Sequence, residues 1–180
     1  MTIRGRGGFS LIELTIVLVI VGFLIGAVIQ GQRMFYNARL QRIVSDMRDY
    51  AQAFLTYYDQ QGMYPGDEND TNFPNGDTYN GNHNGLIDSS AEATNAWEDL
   101  SNALGVVRKT SPVRGGIYSF GNLNFYGSGN QNFISVDNLP NRMAQSIDAR
   151  HDDGVYNSGN IRSDDAYTGT DNLTTLYWRI

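Results

Sequence analysis

The 180-residue chain has no cysteine, only four prolines and two histidines, and 13 basic against 19 acidic residues. Without cysteine there is no disulfide scaffold, no thiol nucleophile and no thiolate site for zinc or an iron–sulfur cluster. The shortage of Lys and Arg argues against a general nucleic-acid binder, because neutralising phosphates takes clustered cations. His83 and His151 stand in no recognised catalytic spacing, and neither a nucleophile elbow nor a phosphate-binding glycine loop occurs. The length suits one medium domain with a real core. A mean hydropathy of −0.38 describes a soluble average, yet the apolar residues are unevenly spread.

Phe9 to Ile29 is an almost unbroken apolar run. As a helix it extends about 30 Å, the thickness of a bilayer's hydrocarbon core. Arg4 and Arg6 precede it with no acid between them, so the leader should stay cytoplasmic and the rest should cross. Ala27-Val28-Ile29-Gln30-Gly31 offers no small-x-small cleavage site, which disfavours a secretory signal peptide. On hydropathy alone a plain signal anchor stays open. Glu13 tells against it. A carboxylate inside a span costs about 2.5–3.5 kcal/mol on insertion scales, so it usually has a partner or a task. The span holds no base. If the chain is cut between Gly8 and Phe9, the new α-ammonium of Phe9 on a neighbouring subunit can be that partner. The pair would then set the axial register of stacked subunits. Gly22 and Gly26 have the spacing that lets helices approach closely.

Gly8-Phe9-Ser10-Leu11-Ile12-Glu13, after a short basic leader and before an apolar helix, resembles the class III signal of type IV prepilins and type II secretion pseudopilins. The resemblance covers about the first 30 residues. It implies cleavage after Gly8 by a membrane prepilin peptidase, N-methylation of Phe9, and a contact from Glu13 to the next subunit's amine. Many members carry a proline where this chain has Gln30.

From Gln30 to Gln61 the pattern is amphipathic. Leu40, Ile43, Val44, Met47, Tyr50, Ala51, Phe54 and Tyr58 recur at three- and four-residue steps, with Arg39, Arg42, Asp46 and Asp49 facing elsewhere. No proline interrupts residues 9–61, which predicts one continuous helix stopped by Gly62 and Pro65-Gly66. Residues 62–88 have loop composition. Within them, Asn80, Asn82 and Asn84 at alternate positions, then Gly85 and Asp88, match the first half of a calcium loop, with Glu92 one place late for the bidentate ligand. An Asn-Gly turn held by Asx hydrogen bonds accounts for the same residues and is preferred. Ser89 and Glu92 form a capping box for a helix over 90–104, ended by Gly105, with Trp97, Leu100, Ala103 and Leu104 inward. Strands are expected at 116–120, 122–126, 132–136 and 173–178, and a short helix opening at Leu139-Pro140 with Met143, Ala144 and Ile147 inward. Asp148, Asp152 and Asp153 can gather a second cation, though Asp153-Gly154 reads equally as a turn, which is preferred. Tyr64-Pro65-Gly66-Asp67 and the stretch from Ile147 to Arg162 are similar to one branch of pseudopilin-like proteins.

The expected fold is α+β: a leader (1–8), a membrane and filament-core helix (9–29), its amphipathic continuation (30–61) and a pilin-like head (62–180) with a small antiparallel sheet. The expected function is a structural subunit of a type IV pilus-like or type II secretion pseudopilus filament, not an enzyme. Its partners would be further copies of itself, the prepilin peptidase and an inner-membrane assembly platform. It would sit single-pass in the bacterial inner membrane with a periplasmic head before assembly into a pilus or pseudopilus. Calcium is the one cofactor the residues suggest, and nucleic acid is not expected. A minor or tip adhesin is the alternative. A signal-anchored periplasmic enzyme using His83, His151 and the three aspartates is the weakest reading. Once Arg4 and Arg6 leave with the leader, 11 basic residues face 19 acidic ones, so the head's surface is expected to be strongly acidic.

Overall fold

A computed structural model describes residues 8–69, 79–124, 129–168 and 172–180. The chain divides into two compact units, Met1–Ala38 and Arg39–Ile180. Helix α1, Leu11–Gln61, runs without a break through Gln30. Its first part, from the apolar run, is exposed throughout, and it is long and apolar enough to cross a membrane.

The second unit is an α+β head. Four antiparallel strands, β1 (Tyr118–Asn124), β2 (Asn130–Pro140), β3 (Ile161–Ser163) and β4 (Leu173–Arg179), lie in the order β1-β2-β4-β3. The two-residue period of the strands puts Tyr118 and Phe120 opposite Val136 and Ile134, which in turn face Leu176 and Trp178. All of these but Trp178 are buried. Against them packs the later part of α1 through Leu40, Ile43, Met47, Tyr50, Phe54 and Tyr57. Aromatic rings interlock the layers: Tyr50 meets Tyr118 at 5.3 Å and Trp97 at 4.8 Å, and Phe54 meets Phe120 at 5.3 Å. Helix α2 (Ser90–Leu104) starts on the expected capping box and ends on Gly105 at φ +67°. Helix α3 (Asn141–His151) buries Met143, Ala144 and Ile147, with Pro140 just outside its first turn.

Several expectations need correction. The buried stripe of α1 takes Ala53 and Tyr57 rather than Ala51 and Tyr58, because the 3.6-residue period drifts against a strict three–four reading. Asp46 does not face outward. It is 4% exposed, and its carboxylate accepts from Lys109 Nζ at 2.7 Å and from the Tyr118 hydroxyl at 3.1 Å. On α2 the fully buried face is Glu92, Asn95, Ala96, Asp99 and Leu100, while Trp97, Ala103 and Leu104 are half-buried. That polar stripe exists because a loop, not a sheet, lies on it: Gly66 N–H donates to Asp99 Oδ2 at 2.6 Å, and Asn95 Nδ2 donates to the Tyr79 carbonyl at 2.9 Å. Of the two strands expected at 116–120 and 122–126, residues 118–124 form a single strand through Gly121, residues 116–117 precede it, and residues 125–126 lie outside the described residues. Strand β3 has only three residues and too short a pattern to be read.

Removing the Asp46 carboxylate would leave the Tyr118 hydroxyl buried and the Lys109 ammonium without one of its two acids. Asp46→Ala is therefore expected to destabilise the head by about 2–4 kcal/mol. Asp49→Ala, which removes the exposed arm of the same cluster, should cost less than about 0.5 kcal/mol. Urea melts of the two variants check this; equal effects would show that Asp46 is not the anchor.

Candidate functional site

The candidate site is the beginning of α1. Gly8 and Phe9 lie outside the helix in exposed backbone, with Phe9 88% exposed. The helix begins at Leu11 because Ser10 caps it. Ser10 N–H donates to Glu13 Oε2 at 2.8 Å, and Glu13 N–H donates to Ser10 Oγ at 3.3 Å. This is a reciprocal capping box. The Ser-x-x-Glu signal was legible in the sequence, but the acid's place in an apolar run drew attention to its charge instead. Glu13 is thus partnered within the precursor, and the Gly8–Phe9 bond stays clear of helical hydrogen bonding. Further on, Gly22 and Gly26 share one helix face with Val19, Phe23 and Ala27, and together they form a shallow apolar groove. Nothing lies within 4 Å of where a side chain would stand at either glycine. That face is open to a second helix.

Residues 3–29 match the prokaryotic N-terminal methylation motif. The chain carries the type IV pilin/pseudopilin signal. Comparison with curated proteins and with solved structures gives no match for the chain. The pilin-type signal and the long apolar helix together support a prepilin-peptidase substrate, methylated at its new terminus and membrane-inserted through α1. Signal and fold point to a structural subunit.

The Asn-rich loop over residues 80–88 is closed by its own hydrogen bonds. Asn82 Oδ1 accepts from Asn84 N–H at 3.0 Å, and Asn84 Oδ1 accepts from Leu86 N–H at 2.8 Å. The amides of Asn82 and Asn84 donate to Asp88, the latter at 2.6 Å. These donors, that of Asn84 foremost, hold the Asp88 carboxyl below its usual range. Glu92 caps α2 and also accepts from Asn82 and Asp88 N–H groups, while burial pushes its carboxyl up. Asn80 donates to the Asn69 carbonyl at 3.0 Å, and its own buried Oδ1 has no hydrogen-bond partner among the described residues. Asp67, from the Tyr64-Pro65-Gly66-Asp67 turn, is the residue that sequence reasoning did not place here. Its carboxylate takes Asn84 and Gly85 N–H at 3.1 and 2.6 Å. Gly66, at φ +86°, is obligatory beside it, since a Cβ would stand 2.3 Å from the Glu92 carbonyl. Asn132 of β2 ties the loop to the sheet through Ile87 N–H at 2.9 Å. His83 is exposed, as expected of a solvated loop residue.

The structure also brings Asp148, Asp152 and Asp153 together, with carboxylate oxygens within 4.8 Å of one another. Each has hydrogen-bond donors. Asp148 accepts from Gly154 N–H and the Tyr167 hydroxyl, at 3.0 and 2.7 Å. Asp152 accepts from the N–H groups of Asn160 and Ile161, and Asp153 from Val155 N–H and the Ser158 hydroxyl. Burial raises the Asp148 carboxyl, and the Ser158 hydroxyl chiefly lowers that of Asp153. The arrangement ties the end of α3 to the start of β3.

His151 lies beside Arg48, whose guanidinium donates to Nδ1 at 3.1 Å. Burial, then Arg48 and Arg150, hold the imidazole below its ordinary pKa of 6.5. Its neutral form is favoured in the folded state, so its contribution to stability is present above pH 6.5 and is lost as pH falls through the lowered value. In an NMR titration Arg48→Met should move the His151 transition upward from its wild-type position; an unmoved transition would refute the arrangement.

In both oxygen-rich clusters the carboxylates already accept protein hydrogen bonds. EDTA and added calcium are accordingly expected to move the melting temperature by less than about 1 °C. A larger rise with calcium assigns an ion, and Asp88→Asn against Asp152→Asn locates it.

Proposed function

We propose that this chain is a structural subunit of a type IV pilus-like filament or type II secretion pseudopilus. It is cleaved after Gly8, methylated on Phe9, and polymerised through α1. The observation that carries this reading is the methylation motif over residues 3–29, whose apolar run from Phe9 to Ile29 is exposed and holds one charge, Glu13. Lipid covers that surface before assembly; packed copies of the same helix cover it afterwards, with the Gly22–Gly26 face permitting close approach. Cleavage turns the Phe9 nitrogen into an ammonium, and the Glu13 of an adjacent copy neutralises it. Any other stagger leaves two charges unpaired in an apolar core. The subunit inserts in the inner membrane with its head on the periplasmic side, as the basic leader directs.

Glu13 has two tasks in this reading, capping in the precursor and charge pairing in the filament, and they separate by substitution. Glu13→Gln retains the capping geometry but not the charge. It is expected to leave membrane insertion and cleavage intact and to abolish incorporation into filaments. Ser10→Ala, which loosens the cap by about 1 kcal/mol and keeps the charge, should still assemble. Mass spectrometry of the mature terminus and electron microscopy of sheared fibres read both. A mature chain starting at Met1 refutes processing, and normal filaments from Glu13→Gln refute the register argument.

A further inference from the structure

Arg48 and Arg150 of this acidic head have no acid to pair with among the described residues. Arg48 of α1 and Arg150 of α3 line a groove of about 310 Å³ with His151 and Ser45, over an aliphatic floor of Val44 and Ile147. Among the described residues neither guanidinium in the groove meets a carboxylate; nearby, Asp46 pairs with Arg42 and Lys109, and Asp49 with Lys109. Asp49 borders the groove but is taken by Lys109 at 3.0 Å. The cations are also pre-positioned. Arg48 lies over the Trp178 ring at 5.5 Å and donates to His151 Nδ1, which leaves the neutral ring's proton on Nε2 as a further donor. Like charges gathered over an apolar floor repel one another until an anion enters.

Acidic side chains from β2 and from the residues after β3 gather where α3 and β4 begin. Asp137, Asp164 and Asp165 line a second groove beside Leu173, where β4 begins and where Asn141 opens α3. The basic groove lies where α3 ends, with His151 against Trp178 near the end of β4. Eleven helical residues span about 15 Å and seven strand residues about 20 Å. Two of the acids are held in place: Asp137 accepts Ile117 N–H, and Asp164 accepts the Tyr177 hydroxyl at 2.9 Å.

We propose that the Arg48–Arg150–His151 groove receives the Asp137–Asp164–Asp165 edge of a second copy of this chain. The two surfaces differ, so the contact is heterologous, the kind that an open helical array requires. It would fix the rotation of neighbouring heads, which helix packing among the N-terminal segments leaves loose. This inference rests on the filament reading above.

The absence of cysteine allows a clean test in the full-length chain. Filaments bearing both Ser45→Cys and Asp165→Cys are oxidised and run without reductant. A ladder of dimers, trimers and larger species is expected, with none from either single variant. Arg150→Glu, at an exposed position, should lower filament yield about tenfold without changing head melting, and Asp165→Arg in the same chain should restore it. Normal wild-type filaments with no ladder and an indifferent Arg150→Glu would overturn the contact and leave the filament reading standing. Failure of the wild-type chain to assemble alongside its secretion or pilus machinery would overturn both.

Discussion

An apolar helix with no protein against it has to be covered, and every other feature of this chain is subordinate to that. From Phe9 to Ile29 the side chains are exposed in the single chain. The hydrophobic effect then leaves lipid or further copies as the surroundings. Within such a run one carboxylate is a strong constraint. Glu13 meets it locally through Ser10 in the precursor. In the proposed function, cleavage after Gly8 would create a cation one residue before Ser10, and with it an intermolecular alternative. On that reading the same residue links the processing of the leader to the stacking of subunits.

The head solves a different problem, that of holding long loops without a disulfide. Its means are buried carboxylates that accept backbone N–H groups. Asp67 holds the Asn-rich loop, Glu92 the entry to α2, Asp99 the Gly66 turn, and Asp148 with Asp152 the crossing from α3 to β3. The charge-assisted bond to a backbone donor is among the stronger ones a neutral loop can make. This changes the meaning of the acidic composition. Asp46, Asp67, Glu68, Glu92, Asp99 and Asp148 are all buried, so a good part of the acidity that suggested a charged outer coat is internal scaffolding.

Legibility followed the length and regularity of the pattern. The 51-residue α1 and the capped α2 were readable because a sustained period, a Ser-x-x-Glu box and a terminal glycine each have a local physical cause. The cleavage signal was readable for the same reason, being contiguous. The three-residue β3 and the burial of Asp46 were not, since both depend on residues about 15 to 70 positions away. Nor could local pattern reveal that Asn132 reaches the Gly85 loop, or that Arg48 and His151, 103 positions apart, share one groove.

By itself, then, the sequence determined the membrane-length helix, the processing signal and the α+β class, because these rest on composition and on neighbours within a few residues. Only the tertiary structure decided which carboxylates are inside, which Asn side chains face which N–H groups, and where unpaired arginines collect. Those outcomes depend on non-local burial, where the cost of an unsatisfied charge or donor is set by whatever the folded chain happens to place beside it.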